Sequence, residues 1–527
     1  MVSPFPATTP LAQRLRDPAQ FPHPVAGVTV VETHISWVVL AGDFAYKIKK
    51  PLDLGFLDFS TLARRRHACD EEIRLNRRLA PELYLDVVAI TGTPERPRIG
   101  GSDTPIEYAV RMRRFDRAQE LDRLLAADAL PPARIDELAR TVARFHAEAP
   151  AATGSDPWGD PATALANALA NFDHVRALER ADDVVPRVDA LRAWTQAEHA
   201  RVAPAMVARL AAGRVRECHG DLHLANMVLF GDRVVVFDCI EFNPALRWTD
   251  VMAEVAFTAM DLRRRGRRDL AQRFVNDYLE ATGDYEGLAV LRFYVVYRAM
   301  VRAKIAAIRG AQERDAAARD RDRQEFLAHL ALAEDCARAP RAALAITCGA
   351  SGSGKSFAAG RLAGTGDWIR IRSDVERKRL AGLPAGDRSG SGLAAGIYAG
   401  DMTARTYARL ADLARTVLAA GYPVIVDATF LAQAQRTAFR ALAAELGAPF
   451  VILAPQAPVA VMRARVAARE AAGTDASEAT LAVLERQLAG AEALAADEAA
   501  AAVAFDATGT IDAEALAAAV AARIAAT

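Results

Sequence analysis

The stretch CHGDLHLANMVLF, residues 218–230, is followed at 234–242 by VVVFDCIEF, an apolar run with an acidic ending. Asp221 stands five residues before Asn226, and Asp238 comes twelve residues after Asn226. Phosphoryl transfer needs a base beside the attacking hydroxyl and oxygen ligands for the magnesium that bridges the phosphates. A carboxylate, an amide and a second carboxylate supply these roles in chain order. The triplet is more specific than any one of its members, and it predicts a phosphotransfer site.

The wider region around this triplet, residues about 25–335, resembles the aminoglycoside phosphotransferase and choline-kinase-like branch of the protein-kinase-like fold. In that branch HGDLHxxN is typical, and a D-x-x-E or D-x-E pattern replaces the usual DFG. This chain has FDCIEF, with Glu241 three residues after Asp238. The resemblance implies that Asp221 is the catalytic base and that Asn226 and Asp238 bind Mg²⁺.

The same resemblance implies an N-lobe lysine that steadies the α- and β-phosphates and pairs with a helix glutamate. The segment AYKIKK offers Lys47 and Lys49, which share one face of a strand because side chains alternate. We expect Lys47 to fill this role, with Glu72 as its partner. Lys49 and Glu71 are the respective alternatives. The chain has no G-x-G-x-x-G motif to cover the phosphates, so ETHIS at 32–36 would have to cover the nucleotide.

A second nucleotide-binding motif lies far downstream. GASGSGKS, residues 349–356, stands between an apolar strand and a helix and matches the Walker A pattern G-x-x-x-x-G-K-[ST] of P-loop proteins. Small residues let successive backbone N–H groups turn towards phosphate oxygens, and the helix N-terminus adds partial positive charge. Lys355 would reach the β- and γ-phosphates, and Ser356 would bind Mg²⁺. The nucleotide-binding residues predicted here are Gly349, Ser351, Gly352, Ser353, Gly354, Lys355 and Ser356.

Two acidic residues follow later strands of the same region. IRIRSDVERKRL at 369–380 places Asp374 at the carboxyl end of a strand, where parallel sheets bind ligands. A carboxylate there could take the proton of an incoming hydroxyl, so Asp374 is a candidate catalytic base, with capping of the next helix as the alternative. Asp427 ends the strand VIVDATF and is predicted to hold Mg²⁺ through water, with a purely structural aspartate as the alternative.

Arg465 and Arg469 share a helix face before the polar segment AAGTDASEAT at 471–480. Arginines beside such a segment could close over the transferring phosphate, whereas solvated helix charge is the alternative. Together these motifs make residues about 340–527 resemble the P-loop small-molecule and polynucleotide kinases, which include gluconate-kinase-like and zeta-toxin-like enzymes. The resemblance implies phosphoryl transfer from ATP to a hydroxyl, with Asp374 as the candidate base.

The predicted fold class is α/β and α+β in two domains. Residues 1–336 form a bilobal protein-kinase-like (aminoglycoside phosphotransferase) domain, with a β-rich N-lobe at about 25–115 and a helical C-lobe at about 116–336. Strands alternate with helices over 337–527, which predicts a P-loop NTPase domain whose parallel sheet is covered by helices. The Ala-rich tail from about 488 is predicted to be ordered helix, because alanine is the best helix former.

Composition narrows the function classes. The 527 residues carry 66 basic and 66 acidic side chains, so no net charge favours nucleic acid or an anionic membrane. The five cysteines are scattered without CxxC pairs, which fits neither a zinc site nor a disulfide framework. The N-terminal prolines stand where a signal peptide needs an apolar run, and no apolar stretch is long enough to span a membrane. We expect a cytoplasmic protein.

The combination resembles fusions of an aminoglycoside-phosphotransferase-like kinase with a P-loop ATP-binding kinase. We expect a bifunctional phosphotransferase that uses ATP and Mg²⁺, each module acting on a small-molecule hydroxyl. A sugar-like acceptor is preferred to a cationic aminoglycoside, because no acidic cluster stands out in the sequence. The alternatives are one catalytic module with a nucleotide-sensing regulator, an aminoglycoside-modifying resistance kinase, and a non-catalytic ATP-binding scaffold. The oligomeric state stays open.

Overall fold

The computed structural model describes residues 10–55, 57–154, 156–384, 400–472 and 477–526. The chain forms two compact units, each built from several chain segments. The first contains Met1–Arg134, Arg144–Asp160 and Val207–Thr258, and the second contains Ile135–Ala143, Pro161–Met206 and Ala259–Thr527. The predicted domain boundary between residues 336 and 337 lies inside the second unit, and it stays a prediction about the two modules.

The first unit begins with a six-stranded antiparallel sheet. Its strands are β1 (Val28–Glu32), β2 (Ser36–Ala41), β3 (Phe44–Lys49), β4 (Tyr84–Thr93), β5 (Arg96–Ile99) and β6 (Glu107–Arg113), and its helices are α1 (Pro10–Arg14) and α2 (Leu62–Asn76). The strand order is β1-β2-β3-β6-β4-β5. Helix α2 begins where the Thr61 side chain accepts a hydrogen bond from the Arg64 amide, and it packs against β4 and β6. The strands predicted for the β-rich stretch at about 25–115 are present, with α2 between β3 and β4.

Two short antiparallel strand pairs follow in the first unit. The strands are β7 (Val215–Glu217), β8 (Met227–Phe230), β9 (Arg233–Val236) and β10 (Trp248–Asp250), and β7 pairs with β10 while β8 pairs with β9. The helices of this stretch of chain are α3 (Leu121–Ala126), α4 (Pro132–Glu148), α5 (Pro161–Leu178), α6 (Val185–Ala211), α7 (Pro244–Arg247) and α8 (Val251–Arg264). Single 3₁₀ turns lie at Pro18–Gln20, Arg117–Gln119, Leu224–Asn226 and Tyr285–Gly287.

The second unit combines long helices with a parallel sheet. Its remaining helices are α9 (Arg268–Thr282), α10 (Leu288–Gln312), α11 (Ala316–Ala337), α12 (Lys355–Ala363), α13 (Ser373–Leu380), α14 (Gly400–Ala419), α15 (Gln433–Glu445), α16 (Val459–Ala472), α17 (Leu481–Ala489), α18 (Ala496–Ala501) and α19 (Ala513–Ala525). The strands are β11 (Leu344–Thr347), β12 (Ile369–Arg372), β13 (Val424–Asp427), β14 (Phe450–Gln456) and β15 (Ala502–Asp506). They run parallel in the order β12-β13-β11-β14-β15.

Helices cover the parallel sheet, as its apolar strands require. Buried side chains of α12 and α19, such as Leu362 and Val520, share one core with Ile425 and Leu453 of the sheet. Helices α14 and α15 pack against β13 and β11. The structure therefore confirms the predicted fold class, and the Ala-rich tail contains α18 and α19 with β15 between them. Within the described part of the chain, no helix is both long and apolar enough to cross a membrane.

Candidate active sites

The loop between β7 and β8 brings Asp221 and Asn226 together. The Asn226 side-chain amide donates to Asp221 Oδ2 over 3.1 Å and to the Asp221 carbonyl over 3.0 Å. His223 Nε2 lies 3.2 Å from the same carboxylate oxygen. Because the nitrogen of the amide faces Asp221, its carbonyl oxygen is directed elsewhere and could bind a cation.

A buried glutamate that sequence reasoning missed holds this loop. Glu254 on α8 has a fully buried side chain, and it accepts hydrogen bonds from the His219 amide at 2.9 Å and the Gly220 amide at 2.5 Å. His146 Nε2 lies 3.3 Å from Glu254. Burial opposes ionisation of Glu254, but its hydrogen bond to His146 and the neighbouring charges and amides outweigh burial and lower the pKa to about 2. The carboxylate stays charged and fixes the backbone just before Asp221.

The first unit also assembles the predicted lysine–glutamate pair. Lys47 Nζ on β3 lies 2.8 Å from Glu72 Oε1 on α2 and also contacts Asp238 Oδ1. Lys49, fully buried, contacts the other Glu72 oxygen and also Glu241. Glu71 instead pairs with arginine side chains. Of the two candidate lysines, Lys47 contacts Asp238, a predicted magnesium ligand. Lys49 instead contacts the carboxylates of Glu72 and Glu241.

Electrostatics favour the charged forms of these groups. Burial would lower the pKa of Lys47, but Asp238 and Glu72 outweigh burial and raise it well above its ordinary value. Desolvation would raise the pKa of Asp238, and the Lys47 ammonium outweighs that effect and holds it below its usual range. The Asp238 side chain is still 43% exposed, so part of the carboxylate faces solvent. Asp238, Asn226 and Asp221 offer hard oxygen ligands, which is the donor chemistry that Mg²⁺ prefers.

The backbone of Asp238 is unusual. Its φ of +64° lies in the left-handed region that non-glycine residues seldom adopt. The conformation is held from both sides, because the Asp238 amide donates to Tyr84 Oη over 3.1 Å while the side chain meets Lys47. Tyr84 was not predicted, since its contact arises only when β4 approaches the loop after β9. Backbone strain of this kind occurs preferentially at functional sites.

The second candidate site is a cavity of about 450 Å³ in the second unit, and residues 351, 352 and 354–356 of the predicted phosphate loop line it. Gly352 and Gly354 have φ of +80° and +102°. A Cβ at Gly352 would lie 2.5 Å from the Met462 carbonyl oxygen, and one at Gly354 would lie 2.9 Å from Ala507 Cβ. Glycine is therefore required at both positions by conformation and by space.

The end of this loop faces Asp427. Ser356 Oγ lies 3.2 Å from Asp427 Oδ1. Among the described residues, no group donates to the buried Asp427 Oδ2. A buried carboxylate oxygen without a partner, beside a serine hydroxyl, fits a magnesium site. Lys355 Nζ donates to the Ala350 carbonyl over 2.8 Å, and burial lowers the pKa of Lys355 below its ordinary value.

Asp374 and the two late arginines also line the cavity. The N-cap of α13 is Arg372, no side chain caps this helix start, and Asp374 is the second residue of the helix, so the capping alternative is not what the structure shows. Arg465 donates to the carbonyl oxygens of Gly352 and Ala507, and Arg469 donates to Ala479. Both arginines therefore lie against the phosphate loop or its wall rather than in open solvent. Residues 473–476 of the predicted lid segment lie outside the described residues.

The fold and these side chains define an ATP-dependent phosphotransferase of the kinase class. Residues 56–294 match the model described as the phosphotransferase enzyme family, and residues 344–494 match the model described as an AAA domain. An uncharacterized protein of Mycobacterium tuberculosis is 33% identical over 463 residues, which cover 86% of this chain and 89% of the relative. A Mycobacterium bovis protein matches to the same extent. The chain belongs to the family of these mycobacterial proteins.

Solved structures that are similar to parts of the chain include three kinases. A gluconokinase from Sinorhizobium meliloti is 20% identical, with 36% of this chain and 94% of that one covered and a TM-score of 0.25. A choline/ethanolamine kinase family protein from Mesorhizobium loti is 14% identical, with 62% and 97% covered and a TM-score of 0.34. A choline kinase from Cryptosporidium parvum is 11% identical, with 58% and 89% covered and a TM-score of 0.36. TM-scores and identities this low carry no information about the acceptor.

Proposed function

We propose that the protein is a bifunctional kinase that uses ATP and Mg²⁺, with one phosphotransfer site in each predicted module, 1–336 and 337–527. The observation that carries the proposal is that each site has a complete set of groups: a candidate base, a lysine for phosphates, and oxygen ligands for the cation. We also propose that it works in the cytoplasm on small molecules.

In the first site, Asn226 and Asp238 would hold Mg²⁺, which draws charge from the phosphates when it is bound. Lys47, fixed by Glu72, holds the α- and β-phosphates. Asp221 accepts the proton as the acceptor hydroxyl attacks the γ-phosphorus. A new phosphorus–oxygen bond forms to the acceptor, the bond to the β-phosphate oxygen breaks, and ADP leaves.

In the second site, Ser356 and Asp427 would hold Mg²⁺, which has the same role there when it is bound. The backbone amides of the phosphate loop and Lys355 hold the phosphates, while Arg465 and Arg469 neutralise the charge that develops on the transferring group. Asp374 takes the proton of the acceptor hydroxyl. The two sites therefore perform the same reaction with different folds and can use different acceptors.

The charge of the second cavity supports an uncharged or anionic acceptor such as a sugar derivative. Among the described residues, the cationic side chains on its wall outnumber the carboxylates; the cations are Lys355, Arg372, Arg377, Arg465 and Arg469, and the carboxylates are Asp374 and Asp427. Lys355, Arg465 and Arg469 are proposed to bind the phosphates of ATP. Arg372 and Arg377 lie on the same wall outside that set and would repel a polycationic aminoglycoside. Aminoglycoside modification at this site is therefore disfavoured.

The proposal is tested by incubating a metabolite pool with labelled ATP and resolving the products. We expect Asp221→Asn to abolish one labelled product and Lys355→Ala to abolish a different one. Asp232→Asn, in the β8–β9 turn, and Arg361→Ala, on the exposed face of α12, serve as matched controls that keep both products.

Other outcomes identify the alternatives. Loss of one and the same product in both variants would indicate one catalytic module regulated by the other. A wild-type protein that labels no acceptor and turns over no ATP would indicate a scaffold.

A further inference from the structure

Helix α9 lies within the predicted first module, yet it contacts the edge strand β12 in the second compact unit. Asn276 accepts from the Arg370 amide over 2.7 Å and donates to the Trp368 carbonyl over 3.1 Å. Gln272 donates to the same carbonyl over 2.7 Å. The two amide side chains thus satisfy backbone groups that a neighbouring strand would otherwise pair. They fix α9 to the strand that leads into the second site.

Near the end of the same helix, Glu280 contacts three arginines. Glu280 Oε1 lies 3.0 Å from Arg372 Nη1, and Oε2 lies 3.7 Å from Arg370 Nη2. The Glu280 carbonyl accepts from Arg379 Nη2 over 2.5 Å. The side chains of Glu280, Arg370 and Arg372 are each about one-fifth exposed, at 20%, 18% and 18%. These contacts are therefore shielded from most of the solvent. Ion pairs in such a shielded environment are stronger than ion pairs at an open surface.

The arginines flank the candidate base. Arg372 lines the cavity directly before Ser373 and Asp374, and Arg379 lies later on the helix that carries Asp374. Glu280 therefore holds the chain on both sides of Asp374, through its carboxylate on one side and its carbonyl on the other. Within the described part of the chain, Glu280 contacts these arginines, and Arg370 in turn donates to the Ser356 carbonyl over 3.4 Å, so an effect of Glu280 on the chemistry would pass through them.

We propose that Glu280 is a positioning residue for the second phosphotransfer site, supplied by a helix of the first module. The inference rests on the proposed kinase function of that site. Glu280 orients Arg372 towards the acceptor side of the cavity and fixes the start of α13, so that Asp374 meets the acceptor hydroxyl. The second reaction consequently depends on the helical part of the first module.

The test uses the full chain with Glu280→Gln, which keeps the size of the side chain and removes its charge. We expect kcat for the Lys355-dependent product to fall roughly tenfold or more, since a displacement of about 1 Å at reacting groups can reduce a rate about a hundredfold. The KM for ATP should change less than about twofold, because Glu280 contacts arginines rather than the phosphate loop itself, and the hydrogen bond from Arg370 to the Ser356 carbonyl is long, at 3.4 Å. The Asp221-dependent product should be unaffected.

The matched control is Arg273→Gln on the same helix, whose side chain pairs with Asp136 instead. A general loosening of α9 would affect both variants, whereas positioning predicts a loss in Glu280→Gln alone. Glu280→Asp retains the carboxylate on a shorter side chain, and we expect it to recover part of kcat. If Glu280→Gln does not fold, the test uses Glu280→Asp. A kcat of Glu280→Asp equal to that of the wild type then overturns the inference.

Two results separate this inference from the proposed function. A wild-type protein without a Lys355-dependent product contradicts the proposed function itself. A wild-type product that Glu280→Gln forms at an unchanged rate, or an equal loss in Arg273→Gln, leaves the kinase function intact and overturns the positioning role.

Discussion

The substitution Glu254→Gln should release the loop that carries Asp221. Wild-type Glu254 accepts from two backbone amides, those of His219 and Gly220. Glutamine has one acceptor oxygen, so its NH₂ group would face one of these amides and leave a buried donor unpaired. An unpaired buried donor costs about 1–3 kcal/mol, and the remaining bond loses its charge assistance. We expect opening of the loop to become easier by about 2–3 kcal/mol.

Hydrogen exchange measures this effect directly. Since about 1.4 kcal/mol corresponds to tenfold, the His219 and Gly220 amides should exchange about 30 to 150 times faster at pH 7 in Glu254→Gln. Glu148→Gln, on the exposed side of the helix that carries His146, is the control and should leave both amides protected. Loss of the Asp221-dependent product should accompany the faster exchange.

The pH dependence gives a second check. The pKa of Glu254 falls from 4.5 to about 2 on folding, so its charge stabilises the folded loop above pH 4.5, and that stability is lost as pH falls towards 2. The full effect corresponds to about 3 kcal/mol, or about 1.4 kcal/mol per pH unit within this window. The ratio of protection factors between wild type and Glu254→Gln should therefore shrink from pH 6 to pH 3.5. Unchanged protection at pH 7, or a ratio independent of pH, would refute the reasoning.

Three further substitutions test the roles of individual side chains. Lys47→Ala should reduce kcat for the Asp221-dependent product at least about a hundredfold with a small shift in thermal unfolding, because Glu72 keeps Lys49 and Asp238 is partly exposed. Lys49→Ala should destabilise the protein by about 3–5 kcal/mol, because it leaves the buried Glu241 carboxylate without its lysine. Similar unfolding midpoints in the two variants would contradict this division. Asp427→Asn should raise the Mg²⁺ concentration needed for the Lys355-dependent product about tenfold or more, as measured by Mg²⁺ titration at saturating ATP, and an unchanged titration curve would count against Asp427 as a cation ligand.

Local spacing predicted the parts of the sites that lie in one motif. The phosphate loop, Asp221 with Asn226, and the strand-end carboxylates all lie at positions that a short pattern specifies. The choice between Lys47 and Lys49 could not be made from sequence, because strand alternation places both on one face. The structure shows the consequence of that placement, since each lysine contacts a different oxygen of Glu72.

Contacts between distant segments could not be predicted. Glu254 follows Gly220 by 34 residues and belongs to no pattern that marks it as a partner of the loop. Likewise, Glu280 is one of many charged helix residues until α9 meets the edge strand of the parallel sheet. Sequence periodicity reports which helix face is apolar, but it does not report which strand that helix will cover.

The energetic state of the two sites supports catalysis rather than a scaffold role. Burying Lys49, Glu72 and Glu241 together is expensive, because each charge loses hydration that the ion pairs only partly replace. The left-handed backbone of Asp238, and an Asp427 oxygen to which no described residue donates, add further local cost. A protein that only held ATP could dispense with a candidate base and with strained carboxylates, since amides and lysines suffice to bind phosphates. Unfavourable groups at the positions proposed for cation binding and proton transfer are better explained by catalysis than by a scaffold role, which supports the proposal of chemistry at both sites.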